Sequence, residues 1–419
     1  LSVLATGPLR GAPAQSGRVA PTPRPTAATP EADPPNRPGA VAGSDGEYKL
    51  VFPNVYKGRR YFSADADRGL MDRTRRSRLD NFVERLNEAG AQGYGLTSFV
   101  ADYPFVALVR AGGGRHEFAL FETSSPFAFH VGLQFREKYA ESAGQGFRLA
   151  EHSLLSAACE KVDPENSLSN ENCLYRHLFL LKRESRIVRP AQFRVARSVP
   201  VRGVKPALEL TADVREALAE GLHPTRALSA FEVLLEREAG GGRPAKDRPD
   251  VQVVRSSSFW HRDNLEEHVN KLARQGYRLA LVNRGIALMY RPGVEAAPVT
   301  YVWLKAKDKS FTKRLAQLQQ SGAVYLTTYP DEEGGETGLI FETGGTEGAR
   351  RREYKVLEFD FQVVENSGPK DGAGGTIHID LAPSSKETLK ALNRSAAEGF
   401  SVRDLFTGNK LSVLLERPL

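Results

Sequence analysis

The sequence predicts an α+β fold made of six tandem strand-helix-strand-strand units, with small mixed or antiparallel sheets each covered by one helix. Three observations predict it. First, six glycines (Gly93, Gly146, Gly221, Gly276, Gly322 and Gly399) end helix-like stretches in the same surroundings. An apolar residue or Tyr stands seven positions earlier, at Leu86, Tyr139, Val214, Val269, Leu315 and Leu392, and mostly small or apolar residues stand three and four positions earlier. Second, strand-period alternation precedes these stretches and hairpin-like pairs of apolar runs follow them. Third, the glycine-to-glycine intervals are 53, 75, 55, 46 and 77 residues, and the two long ones contain recognisable insertions. Repetition of this kind fixes an architecture before any motif is read.

Unit 1 covers 47–112: Tyr48 to Phe52 reads as the opening strand, Phe82 and Leu86 as the buried helix face, Val106 to Val109 as the last strand. Unit 2, 115–184, opens at His116 to Phe121, ends at Leu178 to Leu181, and carries an insertion bracketed by Cys159 and Cys173. Unit 3, 191–238, opens at Phe193 to Ala196 and ends at Phe231 to Leu235. Unit 4, 249–293, has a strand at Val251 to Arg255, then a helix capped by Asp263 and Glu266 with Leu265, Val269, Leu272 and Ala273 on one face. Its hairpin runs from Tyr277 to Tyr290 around Asn283-Arg284-Gly285, where Asn and Gly suit positive-φ turn positions. Unit 5, 298–344, opens at Tyr301 to Leu304 and ends at Leu339 to Phe341. Unit 6, 352–419, is the clearest. Tyr354 to Phe359 alternates, Ser384 precedes Glu387 by three as in a capping box, and Val402 to Phe406 and Leu411 to Leu415 flank a Gly408-Asn409 turn.

Each glycine is placed where a helix stops in the left-handed conformation, which Gly adopts without a Cβ clash. The next residue folds back on the last turn, so Tyr94, Phe147, Leu222, Tyr277 and Phe400 are apolar; Ala323 departs from this, with Tyr325 nearby as a substitute. A unit of ~50 residues has a marginal core, so neighbours must pack on one another. Pairs sharing a sheet give three lobes and a closed ring gives one body; the sequence does not choose. A right-handed strand-helix-strand crossover is expected in each unit.

The chain has 419 residues, 40% of them hydrophobic and 26% charged, as in soluble globular proteins. No window approaches the ~18 apolar residues of a membrane helix. Residues 1–46 are rich in Pro, Ala, Gly and Thr and are expected to be a disordered tether, while Leu1 to Ala5 and Ala12-Pro13-Ala14 resemble the end of an export signal. An extracytoplasmic location follows, with a truncated cytosolic tail as the alternative. Cys159 and Cys173, fourteen apart, are expected to form a disulfide, whose closure is worth about 3 kcal/mol in the chain-entropy model. Two thiols in a reducing cytosol are the other reading.

The net charge of +7 is local in origin. Lys57 to Arg78 holds eight Lys/Arg against three Asp, and Lys182 to Lys205 holds eight against Glu184 alone, together +12, so the remainder carries 7 − 12 = −5. Any polyanion therefore meets Arg73, Arg75, Arg76 and Arg78, read as a basic ladder leading into the first helix, or Arg186, Arg189, Arg194 and Arg197 around the third unit's first strand. Few aromatics accompany them for base stacking; only Tyr61, Phe62 and Phe193 are near.

Leu86-Asn87-Glu88-Ala89-Gly90-Ala91-Gln92-Gly93-Tyr94, Val269-Asn270 to Gly276-Tyr277 and Leu392-Asn393 to Gly399-Phe400 share a pattern that resembles a small uncharacterised bacterial domain. That domain carries a helix ending Leu-Asn-x-x-Gly-x-x-Gly-Trp-x-Leu, then a strand ending in a basic residue. Leu108-Val109-Arg110, Leu181-Lys182-Arg183, Leu235-Glu236-Arg237, Tyr290-Arg291 and Leu415-Glu416-Arg417 resemble the strand end; the Trp is missing from every copy. The resemblance covers about 40 residues of each unit and implies a fold without an activity.

Reactive constellations are sparse. His116, His130, His152 and His177 fall in unit 2 near the two Cys, without the close ligand spacing of zinc motifs. No Gly-x-Ser-x-Gly is present, Ser256-Ser257-Ser258 reads as a loop, and the glycine runs lack a following Lys-Ser/Thr. No catalytic residue, metal, cofactor or small-molecule substrate is therefore expected. The function expected is a non-enzymatic exported bacterial repeat protein, a scaffold or binding module for other proteins or envelope components. Polyanion or nucleic-acid binding is the first alternative; a hydrolase with scattered groups is the second, and requires a cluster of perturbed carboxylates or His in a cleft.

Overall fold

The chain is described from a computed structural model, which covers residues 46–53, 55–57, 68–100, 106–112, 114–125, 131, 133–160, 172–184, 190–197, 206–229, 231–238, 250–255, 263–283, 285–291, 297–330, 337–345, 351–366, 376–408 and 410–419. Unit 1 contains β1 (Tyr48–Val51), β2 (Val55–Lys57), α1 (Arg68–Ala91), β3 (Tyr94–Val100) and β4 (Val106–Ala111). Unit 2 contains β5 (His116–Ser125), α2 (Leu133–Gly144), β6 (Arg148–Glu160) and β7 (Asn172–Glu184). Unit 3 contains β8 (Ala191–Arg197), α3 (Pro206–Ala219), β9 (His223–Ser229) and β10 (Glu232–Glu238). Unit 4 contains β11 (Asp250–Arg255), α4 (Asp263–Ala273), β12 (Arg278–Asn283) and β13 (Ile286–Arg291). Unit 5 contains β14 (Thr300–Lys305), α5 (Phe311–Gln320), β15 (Val324–Pro330) and β16 (Thr337–Thr343). Unit 6 contains β17 (Arg352–Phe359), β18 (Phe361–Asn366), β19 (Thr376–Leu381), α6 (Pro383–Ala397), β20 (Ser401–Thr407) and β21 (Leu411–Pro418).

Every unit has one topology. The last strand lies in the middle, flanked by the opening strand and by the strand that follows the helix, as in β1-β4-β3 or β17-β21-β20. All pairings are antiparallel, so the opening strand and the post-helix strand run parallel to each other. The six expected glycines all have positive φ, between 72° and 90°. In five units the next residue's amide bonds five residues back (Phe147 to Ser142, Leu222 to Ala217, Tyr277 to Leu272, Ala323 to Leu318, Phe400 to Ser395), which closes a Schellman turn. Ala323 keeps that bond despite its small side chain.

Packing between units is face to face. Each helix lies on its own sheet and also on the opposite face of the next unit's sheet, and the buried side chains form six clusters, each shared by two units. Phe82 and Leu86 of α1 pack with Ala107 and Val109 of unit 1 and with Phe118, Leu178 and Leu180 of unit 2. The same holds for units 2 and 3, 3 and 4, 4 and 5, and 5 and 6. An open row of six units has five junctions. Here Leu392 of α6 packs with Tyr48, Leu50, Val106 and Leu108 of unit 1, a sixth junction that closes the row into a ring.

Three helices mark the junction with one residue. Asn270 Nδ2 donates to the Tyr301 carbonyl and its Oδ1 accepts from the Tyr301 amide, at 2.9 and 2.7 Å. Asn87 clamps Phe118 and Asn393 clamps Tyr48 in the same way. The Asn thus mimics a peptide and pairs with the edge strand of the following sheet. Gly90 permits the approach of α1, since a Cβ there would stand 2.3 Å from the His116 carbonyl oxygen.

Some expectations are corrected. Arg73, Arg75, Arg76 and Arg78 belong to the backbone of α1 itself, which starts at Arg68, rather than leading into it. α6 begins at Pro383, with Ala382 at the N-cap and no side-chain cap, because Pro takes the first helical position; Ser384 therefore lies inside the helix. The unit 6 insertion expected at Asn366 to Gly375 lies outside the described residues apart from Asn366; the segments on either side of it pair as β18 and β19, and β19 pairs with β2 of unit 1 to add a small sheet across the closing junction. The remaining stretch of the Cys-bracketed insertion, and Arg186 and Arg189, lie outside the described residues.

Candidate functional site

A single irregularity repeats in the main sheet of every unit. Four residues after each helix-ending glycine the post-helix strand carries a β-bulge, at Thr97, Ala150, Thr225, Ala280, Leu326 and Arg403. A bulge re-aims the side chain that follows it. Those side chains are Ser98, Glu151, Arg226, Leu281, Thr327 and Asp404.

The post-helix strands follow one another around the ring. β3 packs on β20, β20 on β15, β15 on β12 and β12 on β9. Arg226 of β9 then reaches β6, pairing with Glu151 at 3.1 Å and donating to the Ala150 carbonyl. Glu151 of unit 2 and Asp404 of unit 6 are close enough to interact electrostatically, although unit 1 separates them in the ring. The bulged strands therefore converge, and their polar groups form the candidate site.

Asp404 is its best-connected member. Its Oδ1 accepts from Ser98 Oγ at 2.7 Å and from the Leu405 amide at 2.8 Å; its Oδ2 accepts from Tyr325 Oη at 2.6 Å and from Thr328 Oγ1 at 3.0 Å. One carboxylate thereby ties units 1, 5 and 6 together. Burial pushes the Glu151 carboxyl above its ordinary range; the Arg226 guanidinium opposes that shift, and Asp404 adds to it. Burial and the Asp404 charge likewise hold the Tyr325 phenol protonated. A buried Glu beside a second acid is a pairing that proton-transfer chemistry uses. Here both acids already have internal donors, which makes the cluster a junction of units first.

A second polar layer lies at the middle strands. Glu236, Glu342 and Glu416 are buried, each beside a Tyr phenol: Tyr139 Oη donates to Glu236, Tyr301 Oη donates to Glu342 at 3.2 Å, and Tyr354 is cross-strand partner of Glu416. These phenols also accept a backbone amide, Leu149 for Tyr139, Leu279 for Tyr301 and Tyr325 for Tyr354. Glu416 in turn holds Arg352 and Arg403. Burial raises the Glu236 carboxyl above its usual range.

Among the basic residues singled out in the sequence, Arg194 bridges to Asp213, Glu216 and Glu220 of α3, and Arg197 pairs with the buried Glu232. Both fasten β8 to its own unit. The nearby groove, about 650 Å³, is lined by Arg136, Glu137, Ala140, Phe193, Arg194, Val195 and Asp213. Cys159 stands opposite Cys173 in the β6–β7 ladder. Sequence reasoning had the six glycines and missed the bulged ring, Asp404 and the Asn clamps. The available signal was the break in alternation after each glycine, as in Leu279-Ala280-Leu281-Val282.

Among the described residues no group of three or more His, Cys, Asp or Glu side chains is placed to hold a metal ion, and no helix is long and apolar enough to cross a membrane. No protein-family model, no curated protein and no solved structure matches the chain.

Proposed function

We propose that this protein is a non-enzymatic, exported bacterial scaffold that binds other proteins or envelope components through the surface of its ring. The observation that carries the reading is the internal use of its central polar groups: Asp404 accepts four hydrogen bonds from three units, and Glu151 is held by Arg226. Groups so engaged rigidify a body and have little capacity left for a substrate. The likeness of the copies to a small bacterial domain without an assigned activity agrees with it. Two experiments test it. Crosslinking the full chain in its native envelope, followed by reciprocal capture, should return the same partner from either side; no reproducible partner refutes the scaffold. For export, the thiols of Cys159 and Cys173 should resist alkylation until reductant is added, and free thiols in freshly isolated protein count against it.

Polyanion binding is the second reading, favoured by the gathering of Arg68, Arg73, Arg75, Arg76 and Arg78 into the first turns of one helix. Heparin retention that disappears on neutralising the last four would move it to first place.

A further inference from the structure

The middle-strand position that carries the buried glutamates changes character at the junction of units 1 and 2. At the middle-strand position that holds Glu236, Glu342 and Glu416 in units 3, 5 and 6, unit 2 has Lys182, paired in register with Phe118 on one side and Arg148 on the other. Unit 1 has Arg110 there, whose guanidinium stacks on the Tyr48 ring. Lys182 has no such companion: among the described residues its side-chain amine forms no hydrogen bond and no ion pair. Its setting is also unusual. Two residues after the helix-ending glycine, units 2, 3 and 4 place Arg148, His223 and Arg278, whereas unit 1 places Gly95. The space where a Gly95 side chain would begin is 3.9 Å from Lys182 Nζ and 3.2 Å from His116 Nε2.

His116 is buried, and its Nδ1 has no hydrogen-bond partner among the described residues. Glu184, exposed at the rim, is the register partner of His116. The charged groups in register here are Lys182, Arg148, His116 and Glu184 on the unit 2 sheet, and on the unit 1 sheet Arg110 is the register partner of Gly95. We propose that Lys182, with His116 beside it at the junction of units 1 and 2, is a covalent-modification site for a small aldehyde.

In that step the amine nitrogen attacks the carbonyl carbon and forms a C–N bond. Two hydrogens from the amine leave with the carbonyl oxygen as water, and an imine remains. The amine must be uncharged, and burial lowers the proton affinity of Lys182 against the weaker opposing effect of Glu184. Burial and the Lys182 charge lower that of His116. The inference is independent of the scaffold reading, since a modified lysine serves a binding protein or an enzyme alike.

The test uses the full chain with limiting acetaldehyde and cyanoborohydride, and peptide mass mapping across pH. Lys182 should be ethylated several-fold faster than Lys390, an exposed lysine paired with Glu387. Its labelling should also persist to lower pH than that of Lys390. Glu184→Gln should move the Lys182 profile further toward acid, because the carboxylate that favours the ammonium is gone. Labelling of Lys182 no faster than Lys390 at any pH, or an unmoved profile in Glu184→Gln, overturns the proposal.

Discussion

Glu236 shows what a single buried side chain does at a junction. It lies on β10 beneath α2, 6% exposed, with Tyr139 donating to it from the neighbouring unit. Burial favours its neutral form, so its folded pKa is raised above the unfolded value of about 4.3. The sign follows by linkage. Below the unfolded pKa both states are protonated and this stabilisation is complete; as pH rises toward and through the folded pKa, the unfolded chain releases its proton first and the stabilisation is lost. Glu236→Gln keeps an acceptor for Tyr139 and removes the titration. Urea midpoints measured from about pH 4 to about pH 8 should therefore show the variant close to wild type in acid and increasingly more stable toward neutrality. Parallel curves would mean that Glu236 does not titrate as its surroundings require. This carboxylate was invisible in the sequence, where Leu235-Glu236-Arg237 reads as a strand fraying into charge. Its partner is 97 residues away.

Elements were legible where their signals are local. The helix ends, the opening strands and the closing hairpins follow from glycine stereochemistry and from alternation within a few residues. What escaped was set by neighbours: β2, β18 and β19 form because units 1 and 6 meet, and the six bulges because the post-helix strands must turn toward one another. The Leu-Asn step of the helix ends is of this second kind, since the Asn side chain pairs with the next unit's opening strand. At α4 and β14, Asn270→Ala removes both the acceptor of the Tyr301 amide and the donor to its carbonyl. Stranding those partly buried backbone groups should destabilise the protein by about 2 kcal/mol. Denaturant unfolding of the variant against wild type measures it. A loss below about 0.5 kcal/mol, the range of ordinary surface substitutions, would show that the clamp is incidental.

The molecule as a whole is decided by the sixth junction. In an open solenoid the terminal units are caps, stability sums over neighbours, and deleting one end removes only its share. A ring has no ends. Here unit 6 covers α5 through Tyr354, Phe406 and Leu414, and covers β1 and β4 through Leu392, Phe400 and Val413. Its Asp404 also receives Ser98 from unit 1 and Tyr325 from unit 5. Removing residues 351–419 therefore exposes two apolar faces at once and strands Ser98 and Tyr325. The fragment should lose cooperative unfolding altogether rather than a sixth of its stability. A circular permutant behaves differently if the ring is real: joining residue 419 to residue 46 with a flexible linker and opening the chain between β10 and β11 preserves all six junctions. It should melt as one transition near the wild type. Circular dichroism melts and hydrogen exchange on both proteins separate the cases, because an open row predicts a folded five-unit fragment and a damaged permutant, and a ring predicts the reverse.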